Sequence, residues 1–415
     1  MKNIFKFIYN REDNGICRIR TVLGIKITTK PKELKYNIII PDAVKNNKII
    51  NYKKSLHSEK KYKLAIFLRF GIGDYILFRK FLPFLKEYYK DYNITLIANG
   101  LHKDIVENFD MDYIDEYLEY KGYSITPKDF EDYFSNIEYD ILISHFYGRN
   151  YEIDDIIKYI NSQEKITSYG SLWHNSKHNR ASSFNIYTKL IFNNIDEDDK
   201  THEITTNTNF FEQLLNTKII INDMNIELDE NFFEEIDFNF KDKYCIIFPT
   251  SADKKREYKT EYFAKICDYL YSKYGLISYI VGSENDNKIA NEIIEYYNSN
   301  YVKNICGKYK LNELFYIFNK ARLIVTVDSA GYHIGIAVND NVVCVSSGMS
   351  YSRYLNYPKE LVKNKNINIV LPKELEEDLK NNRAKIDYQY YPLYDLQSIK
   401  PEDVCKLIDN KYNLY

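Results

Sequence analysis

The chain has 415 residues, of which 45% are hydrophobic and 28% charged, and its formal net charge is −2. This composition excludes a disordered or collagen-like protein, and the length predicts two domains with ordinary hydrophobic cores. The 41 tyrosines accompany many Lys, Asn and Ile residues, so we interpret them as a compositional bias and not as a sign of carbohydrate binding.

Cysteines and apolar runs indicate the compartment. The six cysteines contain no CxxC pair, which predicts reduced core residues and no disulfide framework. They are Cys17, Cys245, Cys267, Cys306, Cys344 and Cys405. No early apolar run is long enough for a signal peptide or a membrane-spanning helix, so we expect a cytoplasmic protein.

Residues 1–60 predict a small basic β appendage. Two β-like runs, FKFIY and CRIRTVLGIKIT, are separated by REDNG, whose Asn-Gly pair favours a tight turn. Residues 1–63 hold 16 Lys/Arg against 5 Asp/Glu, a net charge of +11 that leaves −13 for the remainder. We expect an anionic partner, either the inner face of the cytoplasmic membrane or an acidic glycolipid, because no nucleic-acid motif accompanies the charge. The alternative is a solvated basic arm.

The first domain, residues 61–220, opens with the buried strand LAIFL at Leu64 and the turn RFGIGD. A helical pattern follows, in which Pro83 predicts a kink. Strands then alternate with helices, for example strand 139–145 and helix 151–161, which indicates a parallel sheet. The turn is not a dinucleotide-binding fingerprint, because GxGxxG would need a glycine where the chain has Ile76.

Asp74 stands where the first strand gives way to the helix. Its carboxylate can project into the crevice as a general base, and the helix dipole would favour the ionised form. Gly71 and Gly73 allow the backbone to approach a ligand closely. The alternative is that Asp74 only caps the helix.

Residues 170–200 form a polar stretch, which predicts a functional or disordered loop. His174 and His178 have the i, i+4 spacing of metal ligands, but the surrounding Asn, Ser and Lys predict no helix and no third ligand. The acidic run 196–199 belongs to no strand end, so we expect it to be solvated. Cationic and aromatic side chains between 173 and 180, Lys177 among them, can close over an anionic acceptor.

Residues 220–243 are interpreted as an interdomain linker, and the second domain begins with a strand at 244–248. The loop 250–259 carries several cations at the carboxyl end of that strand, where an open α/β sheet binds its ligand. These cations suit phosphate, and an arginine can bind two oxygens of a diphosphate at once. They are Lys254, Lys255, Arg256 and Lys259.

The segment 322–338 organises the second domain. An apolar strand ends at Val327, and the turn from Asp328 to Gly331 leads directly into a second apolar run that can only continue as a helix. The first amides of that helix are expected to bind an anion. Asp328 would cap them or orient a sugar hydroxyl, and His333 would face the same crevice. The alternative is an N-cap aspartate and a hydrogen-bonded core histidine.

Three of these motifs resemble glycosyltransferase family 9, the bacterial heptosyltransferases, over most of residues 62–412. RFGIGD places Asp74 at the family's catalytic aspartate. FPTSADKKREYKTEYFAKI is similar to its diphosphate-binding loop, with Arg256 where lysine is usual and Tyr258 where tryptophan is usual. VTVDSAGYHIGIA is similar to its D-[ST]-G-x-x-H donor motif, with Ala330 in place of glycine.

The resemblance implies an α/β GT-B fold, in which two Rossmann-like domains face a central cleft. Residues 61–220 would bind the acceptor, residues 240–360 the donor, and the helices of 361–415 would pack back toward the first domain. The implied donor-binding residues are Thr250, Ser251, Arg256, Glu284, Tyr309, Asp328, Ser329, Ala330, Gly331 and His333. The implied acceptor-binding residues are Gly73, Arg149, His174 and Lys177.

The implied reaction is an inverting transfer in which Asp74 deprotonates an acceptor hydroxyl and Arg256 stabilises the departing diphosphate. It would need no metal and no cofactor, and the expected partners are ADP-heptose as donor and an anionic glycolipid or glycan as acceptor. One alternative is a transferase that uses another nucleotide sugar for capsule or O-antigen. A second alternative is a non-catalytic scaffold that binds a sugar nucleotide.

Overall fold

Two sheets of parallel strands, each covered by helices, make up most of the chain in this computed structural model. The structure describes residues 9–13, 17–22, 25–31, 49–53, 60–69, 71–121, 126–172, 175–193, 201–233, 235–238, 243–297, 300–381 and 392–414. Residues Lys48–Tyr415 form one compact unit that contains both sheets, and Met1–Asn47 form a separate unit.

The N-terminal unit contains a three-stranded antiparallel sheet of β1 (Tyr9–Asp13), β2 (Cys17–Val22) and β3 (Ile25–Pro31). The run FKFIY lies almost wholly outside the described residues, and the first part of REDNG belongs to β1 instead of a turn. Strand β4 (Ile49–Lys53) was predicted to belong to the appendage, but it pairs antiparallel with a strand of the first large sheet. The separate unit therefore ends at Asn47 and not at residue 60.

The first large sheet has seven strands in the order β10-β9-β8-β5-β6-β7-β4, of which only β4 runs antiparallel to its neighbour. Its parallel strands are β5 (Tyr62–Phe67), β6 (Tyr92–Asn99), β7 (Glu116–Tyr120), β8 (Tyr139–Ser144), β9 (Ser162–Ser168) and β10 (Lys189–Ile191). The central strand β5 is fully buried from Leu64 to Phe67, as expected for a parallel strand covered on both faces.

The helices of this first lobe are α1 (Ile72–Phe78), α2 (Leu82–Tyr88), α3 (Lys103–Ile105), α4 (Pro127–Phe134), α5 (Tyr151–Ile157), α6 (Lys177–Ser183) and α7 (Glu203–Leu215). The kink predicted at Pro83 is present as a 3-10 turn, Arg79–Phe81, between α1 and α2. Pro83 lies in the first turn of α2, where its missing N–H removes no helical hydrogen bond.

The second lobe contains a six-stranded parallel sheet in the order β13-β12-β11-β14-β15-β16. Its strands are β11 (Tyr244–Phe248), β12 (Ile277–Ile280), β13 (Val302–Asn304), β14 (Leu323–Val327), β15 (Asn341–Val345) and β16 (Asn366–Val370). After the short helix α8 (Glu230–Phe233) between the lobes, its helices are α9 (Thr260–Tyr274), α10 (Asn287–Glu295), α11 (Leu311–Lys320), α12 (Ala330–Val338), α13 (Lys373–Lys380) and α14 (Pro401–Lys411).

The last helix packs on the second lobe and not back toward the first, contrary to the prediction from the resemblance. Helix α14 contacts α9 and β16, and its Val404, Cys405 and Ile408 join the buried cluster that contains Leu270 of α9. The reason is that the apolar face of α14 completes the outer layer of the second sheet. Its end is held by Asp409, which accepts a hydrogen bond from the Tyr274 hydroxyl at 2.6 Å.

The two lobes also contact each other at two places. In one, the rings of Phe109 and Phe315 lie 5.4 Å apart. In the other, α1 of the first lobe packs on α12 of the second. The predicted linker is anchored there, since the Ile226 N–H donates to the Ala337 carbonyl at 2.9 Å.

Candidate active site

A cleft of about 1050 Å³ lies between the lobes and is lined by residues of both. The carboxyl ends of β5, β11 and β14 reach it, because the strands of each parallel sheet end at the same edge. Ten of the predicted site residues line it together, Gly73 and Asp74 from the first lobe and eight from the second. Those eight are Thr250, Ser251, Arg256, Tyr309, Asp328, Ser329, Ala330 and His333.

Asp74 lies in the first turn of α1 and serves two purposes. One carboxylate oxygen accepts the Gly71 N–H at 3.2 Å, which satisfies a free amide at the start of the helix. The same side chain lines the cleft and hydrogen-bonds the Tyr354 side chain. Burial, and then the negative charge of Glu203, raise the pKa of Asp74 to about 6, against the opposing effects of Arg353 and the two hydrogen bonds. A carboxylate with this pKa is ionised at neutral pH and can accept a proton.

Arg256 and Asp328 form an ion pair on the second-lobe wall. The Arg256 Nη1 lies 3.3 Å from the Asp328 Oδ1, and Asp328 is almost fully buried at the end of β14. Burial raises the pKa of Asp328, and Arg256 opposes that shift. Two further polar atoms of the pair, Arg256 Nε and Asp328 Oδ2, are buried without a hydrogen-bond partner among the described residues. Arg256 and Asp328 both line the cleft, so the pair faces any ligand bound there.

Helix α12 begins at this wall without a side-chain cap. Its N-cap is Ser329, whose side chain makes no capping hydrogen bond, so Asp328 is not the N-cap that the sequence allowed as an alternative. Uncapped amides and the helix dipole make such a terminus a site for anions. Gly331 is required by space, because a Cβ there would lie 2.5 Å from the Phe248 ring.

His333 faces the cleft from α12 and is also hydrogen-bonded in the core, so both readings of the sequence apply. Its Nδ1 lies 2.6 Å from the Tyr357 hydroxyl. Burial, together with the nearby Arg256, lowers the pKa of His333 to about 3. The imidazole is therefore neutral at physiological pH.

One donor-side prediction, Glu284, needs adjustment. Glu284 is exposed on a 3-10 turn and does not line the cleft, whereas its neighbours Ser283 and Asp286 do. Its backbone packs behind Gly307, where a Cβ would lie 2.9 Å from the Glu284 Cα. Tyr309 does line the cleft, and its hydroxyl donates to the Asp237 carbonyl at 2.9 Å.

Of the acceptor-side predictions, Gly73 lines the cleft, but Arg149 and Lys177 do not. Arg149 is only 1% exposed, and its guanidinium donates to Asp154 at 2.9 Å, to the Ser183 hydroxyl at 3.1 Å and to the Ser168 carbonyl. A side chain held in this way cannot reach an acceptor, so that assignment is wrong. The sequence did not reveal that the chain after β8 turns inward.

The polar stretch 170–200 contains a helix that was not predicted. Helix α6 starts at Lys177, and its N-cap Ser176 accepts the Asn179 N–H, which is a signal that the sequence does carry. Lys177 is exposed and does not line the cleft. His174 and Trp173 lie outside the described residues.

Several residues that line the cleft were not predicted. Tyr354 lies in a π-helical turn, Tyr351–Leu355, that carries no recognisable motif. The Asp104 side chain links the first lobe to the second, since its Oδ2 accepts the Leu311 N–H at 3.1 Å. Both depend on contacts between the lobes, which no local pattern encodes.

Cysteines and acidic groups complete the inventory of possible ligands. Cys245, Cys267, Cys306, Cys344 and Cys405 are buried free thiols, as predicted for core residues. In the described part of the chain, no three His, Cys, Asp or Glu side chains are grouped so that they could hold a metal ion. No helix in the same residues has the length and apolar character needed to cross a bilayer.

A family model described as glycosyltransferase family 9 (heptosyltransferase) matches residues 176–383, half of the chain. A search of curated proteins found no match. Among solved structures, the family 9 glycosyl transferase from Veillonella parvula DSM 2008 is 18% identical, with a TM-score of 0.64 over 85% of this chain and 98% of that one.

Two enzymes from E. coli have the same fold. ADP-heptose LPS heptosyltransferase II is 13% identical, with a TM-score of 0.58 over 84% of this chain and 98% of that one. Heptosyltransferase WaaC with ADP-2-deoxy-2-fluoro heptose is 12% identical, with a TM-score of 0.58 over 84% and 99%. The two lobes and their cleft are thus a GT-B fold, and the chain belongs to glycosyltransferase family 9.

Proposed function

We propose that this glycosyltransferase moves a heptose or a related sugar from a nucleotide-diphosphate donor, with ADP-heptose as the expected one, to a bacterial lipopolysaccharide or surface-glycan acceptor. One observation carries the proposal. Asp74 on the first-lobe wall and the Arg256–Asp328 pair on the second-lobe wall line the same cleft. Two solved structures of the same fold are heptosyltransferases, one of them with an ADP-heptose analogue.

The second-lobe wall suits the donor. The uncapped N-terminus of α12 and the guanidinium of Arg256, which lines the cleft, supply positive charge for a diphosphate. Hydrogen bonds to charged groups contribute about 1.5–3 kcal/mol each, enough to hold the leaving group. Tyr309, Leu311 and Leu314 add an apolar surface for a base.

The first-lobe wall suits proton removal. Asp74 takes the proton of an acceptor hydroxyl as its oxygen attacks the anomeric carbon. The bond from that carbon to the diphosphate breaks, and its electron pair leaves with the diphosphate oxygen. A single displacement of this kind inverts the anomeric configuration. Arg256 and the α12 amides would stabilise the charge that develops on the diphosphate.

Fixed positive charge on the donor wall leads us to propose a reaction that needs no divalent metal. Transfer should therefore persist in EDTA. Strict dependence on added Mg²⁺ or Mn²⁺ would contradict this part of the proposal.

The test uses a panel of ADP-, GDP- and UDP-sugars in a thermal-shift assay, since a ligand that binds the folded state raises the melting temperature. We expect ADP-heptose to give the largest shift, in the wild type and in Asp74→Asn alike. Transfer should fall at least about 100-fold in Asp74→Asn, the usual loss for a missing general base. A larger shift with a GDP- or UDP-sugar would assign a different donor, and full activity of Asp74→Asn would contradict the role of Asp74.

A further inference from the structure

A buried ion pair joins the two lobes close to Asp74. Arg353 lies in the turn Tyr351–Leu355, and Glu203 is the first residue of α7. The Arg353 Nε donates to the Glu203 Oε2 at 2.7 Å, and the two side chains are 3% and 5% exposed. Buried pairs of this kind add little net stability compared with apolar residues of the same size. The pair therefore calls for a role other than stability.

The first lobe is shaped to receive this turn. A Cβ on Gly148 would lie 2.8 Å from the Arg353 Nη2, so glycine leaves the space that the guanidinium occupies. One residue before Glu203, the His202 ring nitrogen Nε2 lies 3.3 Å from the Tyr354 carbonyl oxygen. The second-lobe turn thus contacts the first lobe at three neighbouring residues, Glu203, Gly148 and His202.

The other side of the same segment is attached to α12. The Tyr332 hydroxyl donates to the Leu355 carbonyl at 2.7 Å. The Tyr357 hydroxyl lies 2.6 Å from the His333 Nδ1 and is hydrogen-bonded to it. Between these attachments, the Tyr354 ring lies against the Arg353 guanidinium at 5.2 Å, and its side chain hydrogen-bonds Asp74. The position of Tyr354 therefore depends on the seating of Arg353.

We propose that the Arg353–Glu203 ion pair is a positioning pair for Asp74. The pair holds the Tyr354 hydroxyl against the Asp74 carboxylate when the two lobes are together. The inference rests on the proposed role of Asp74 as the base. It adds that the base is complete only when the second lobe supplies this turn. A catalytic group of the first lobe is thereby made dependent on the donor lobe.

The two charges also act on Asp74 with opposite sign. Glu203 raises the pKa of Asp74, and Arg353 and the Tyr354 hydrogen bond lower it. Burial keeps His333 and His202 neutral at physiological pH by lowering the pKa of each to about 3. The titratable and charged groups around Asp74 are Glu203 from α7, His202 beside it, His333 from α12, and Arg353, Tyr354 and Tyr357 from the segment after β15.

The test compares the Glu203→Gln and Tyr354→Phe variants. In each, the pH titration of the Asp74 carboxyl carbon is measured by ¹³C NMR of protein labelled at Asp. The Asp74→Asn spectrum assigns the signal. Removing Glu203 leaves the positive charge of Arg353 uncompensated, so the Asp74 titration should move to lower pH. Removing the Tyr354 hydroxyl deletes a hydrogen bond to the carboxylate, so the titration should move to higher pH. The acidic limb of kcat/KM should move in the same two directions.

Asp154→Asn is the matched control. Asp154 accepts from the Arg149 Nε at 2.9 Å in a pair that is equally buried but lies within the first lobe. The Asp154→Asn variant should lower the free energy of unfolding, as Glu203→Gln does, and should leave the Asp74 titration unchanged. An Asp74 titration that stays in place in Glu203→Gln and Tyr354→Phe, or moves equally in Asp154→Asn, overturns the inference. If the titration moves as expected but Asp74→Asn still transfers sugar, the pair stands and the proposed base is wrong.

Discussion

Gly73 and His333 meet across the cleft so closely that a Cβ on Gly73 would lie 2.4 Å from the His333 Cδ2. The histidine ring cannot easily move away, because it is buried and its Nδ1 is hydrogen-bonded to Tyr357. Glycine at position 73 is thus required by space, and the contact sets how closely α1 and α12 approach each other.

Gly73→Ala should therefore separate the two helices or displace His333. We expect a loss of about 1–3 kcal/mol in the free energy of unfolding, the usual cost of overpacking, together with lower transfer activity. Urea unfolding measures the first effect. Gly71→Ala is the control, since a Cβ there would meet only the Asp74 Oδ2 at an ordinary 3.9 Å. Equal stability of the two variants would show that the contact is not tight.

The pH dependence of transfer follows from the environment of Asp74. Its carboxyl must be ionised to act as a base, and its pKa is raised to about 6. We expect kcat/KM to rise with pH and to level off above the pKa, with a midpoint near 6. A profile that is flat from pH 5 to 8 would contradict this prediction.

Asp74→Asn should make the protein more stable at neutral pH. The pKa of Asp74 is raised on folding from 3.8 to about 6, so its contribution to stability is complete below pH 3.8 and is lost as the pH rises through 6. The ionised carboxylate then costs on the order of 3 kcal/mol, which the amide avoids. Urea unfolding measures the difference in free energy of unfolding between Asp74→Asn and the wild type. This difference should be larger at pH 8 than at pH 5. An equal difference at both pH values would count against the raised pKa.

Arg256→Gln should weaken the binding of ADP by about 10- to 100-fold, since one charged hydrogen bond to the diphosphate is lost and Asp328 is left buried without its partner. Arg256→Lys keeps the positive charge, so this variant should lose less affinity for ADP. Lys254→Gln is the control, because Lys254 lies on the same 3-10 turn, is exposed and does not line the cleft. Calorimetric titration with ADP measures all three. Similar losses in Lys254→Gln and Arg256→Gln would indicate a general charge effect.

The basic N-terminal region predicts binding to anionic membranes. Residues 1–63 carry a net charge of +11, and each Lys or Arg near such a surface contributes about 1 kcal/mol. Changing Lys26, Lys30, Lys32 and Lys35 to Gln should strongly reduce co-sedimentation with phosphatidylglycerol vesicles. Binding of the wild type should also fall with added salt. Equal binding to neutral vesicles would refute an electrostatic contact.

The sequence predicted the parts of the site that one strand and one helix build together. The turn of Asp74, the loop of Arg256 and the turn of Asp328 each follow an apolar strand, and all three reach the cleft. Helix α9 also ends on a local signal, since its C-cap Gly275 has a left-handed φ of 68°. Local chemistry determines these features.

The features that the sequence did not predict depend on distant contacts. Tyr354 and Glu203 are both far from Asp74 in the chain. Glu203 reaches Asp74 when the first lobe folds, and Tyr354 reaches it only when the second lobe packs on the first. Arg149 was misplaced for the same reason, because its position after a strand is compatible with a cleft or with the interior. The direction of its side chain is decided by Asp154 and Ser183.

Strand β4 has a practical consequence for anyone who shortens this protein. It runs antiparallel along β7 at the edge of the seven-stranded sheet, and it thereby occupies backbone groups that would otherwise pair with another molecule. A truncated chain that began after Lys53 would uncover this edge and invite self-association. Removal of the basic unit should therefore stop at Asn47, which leaves the protective strand in place.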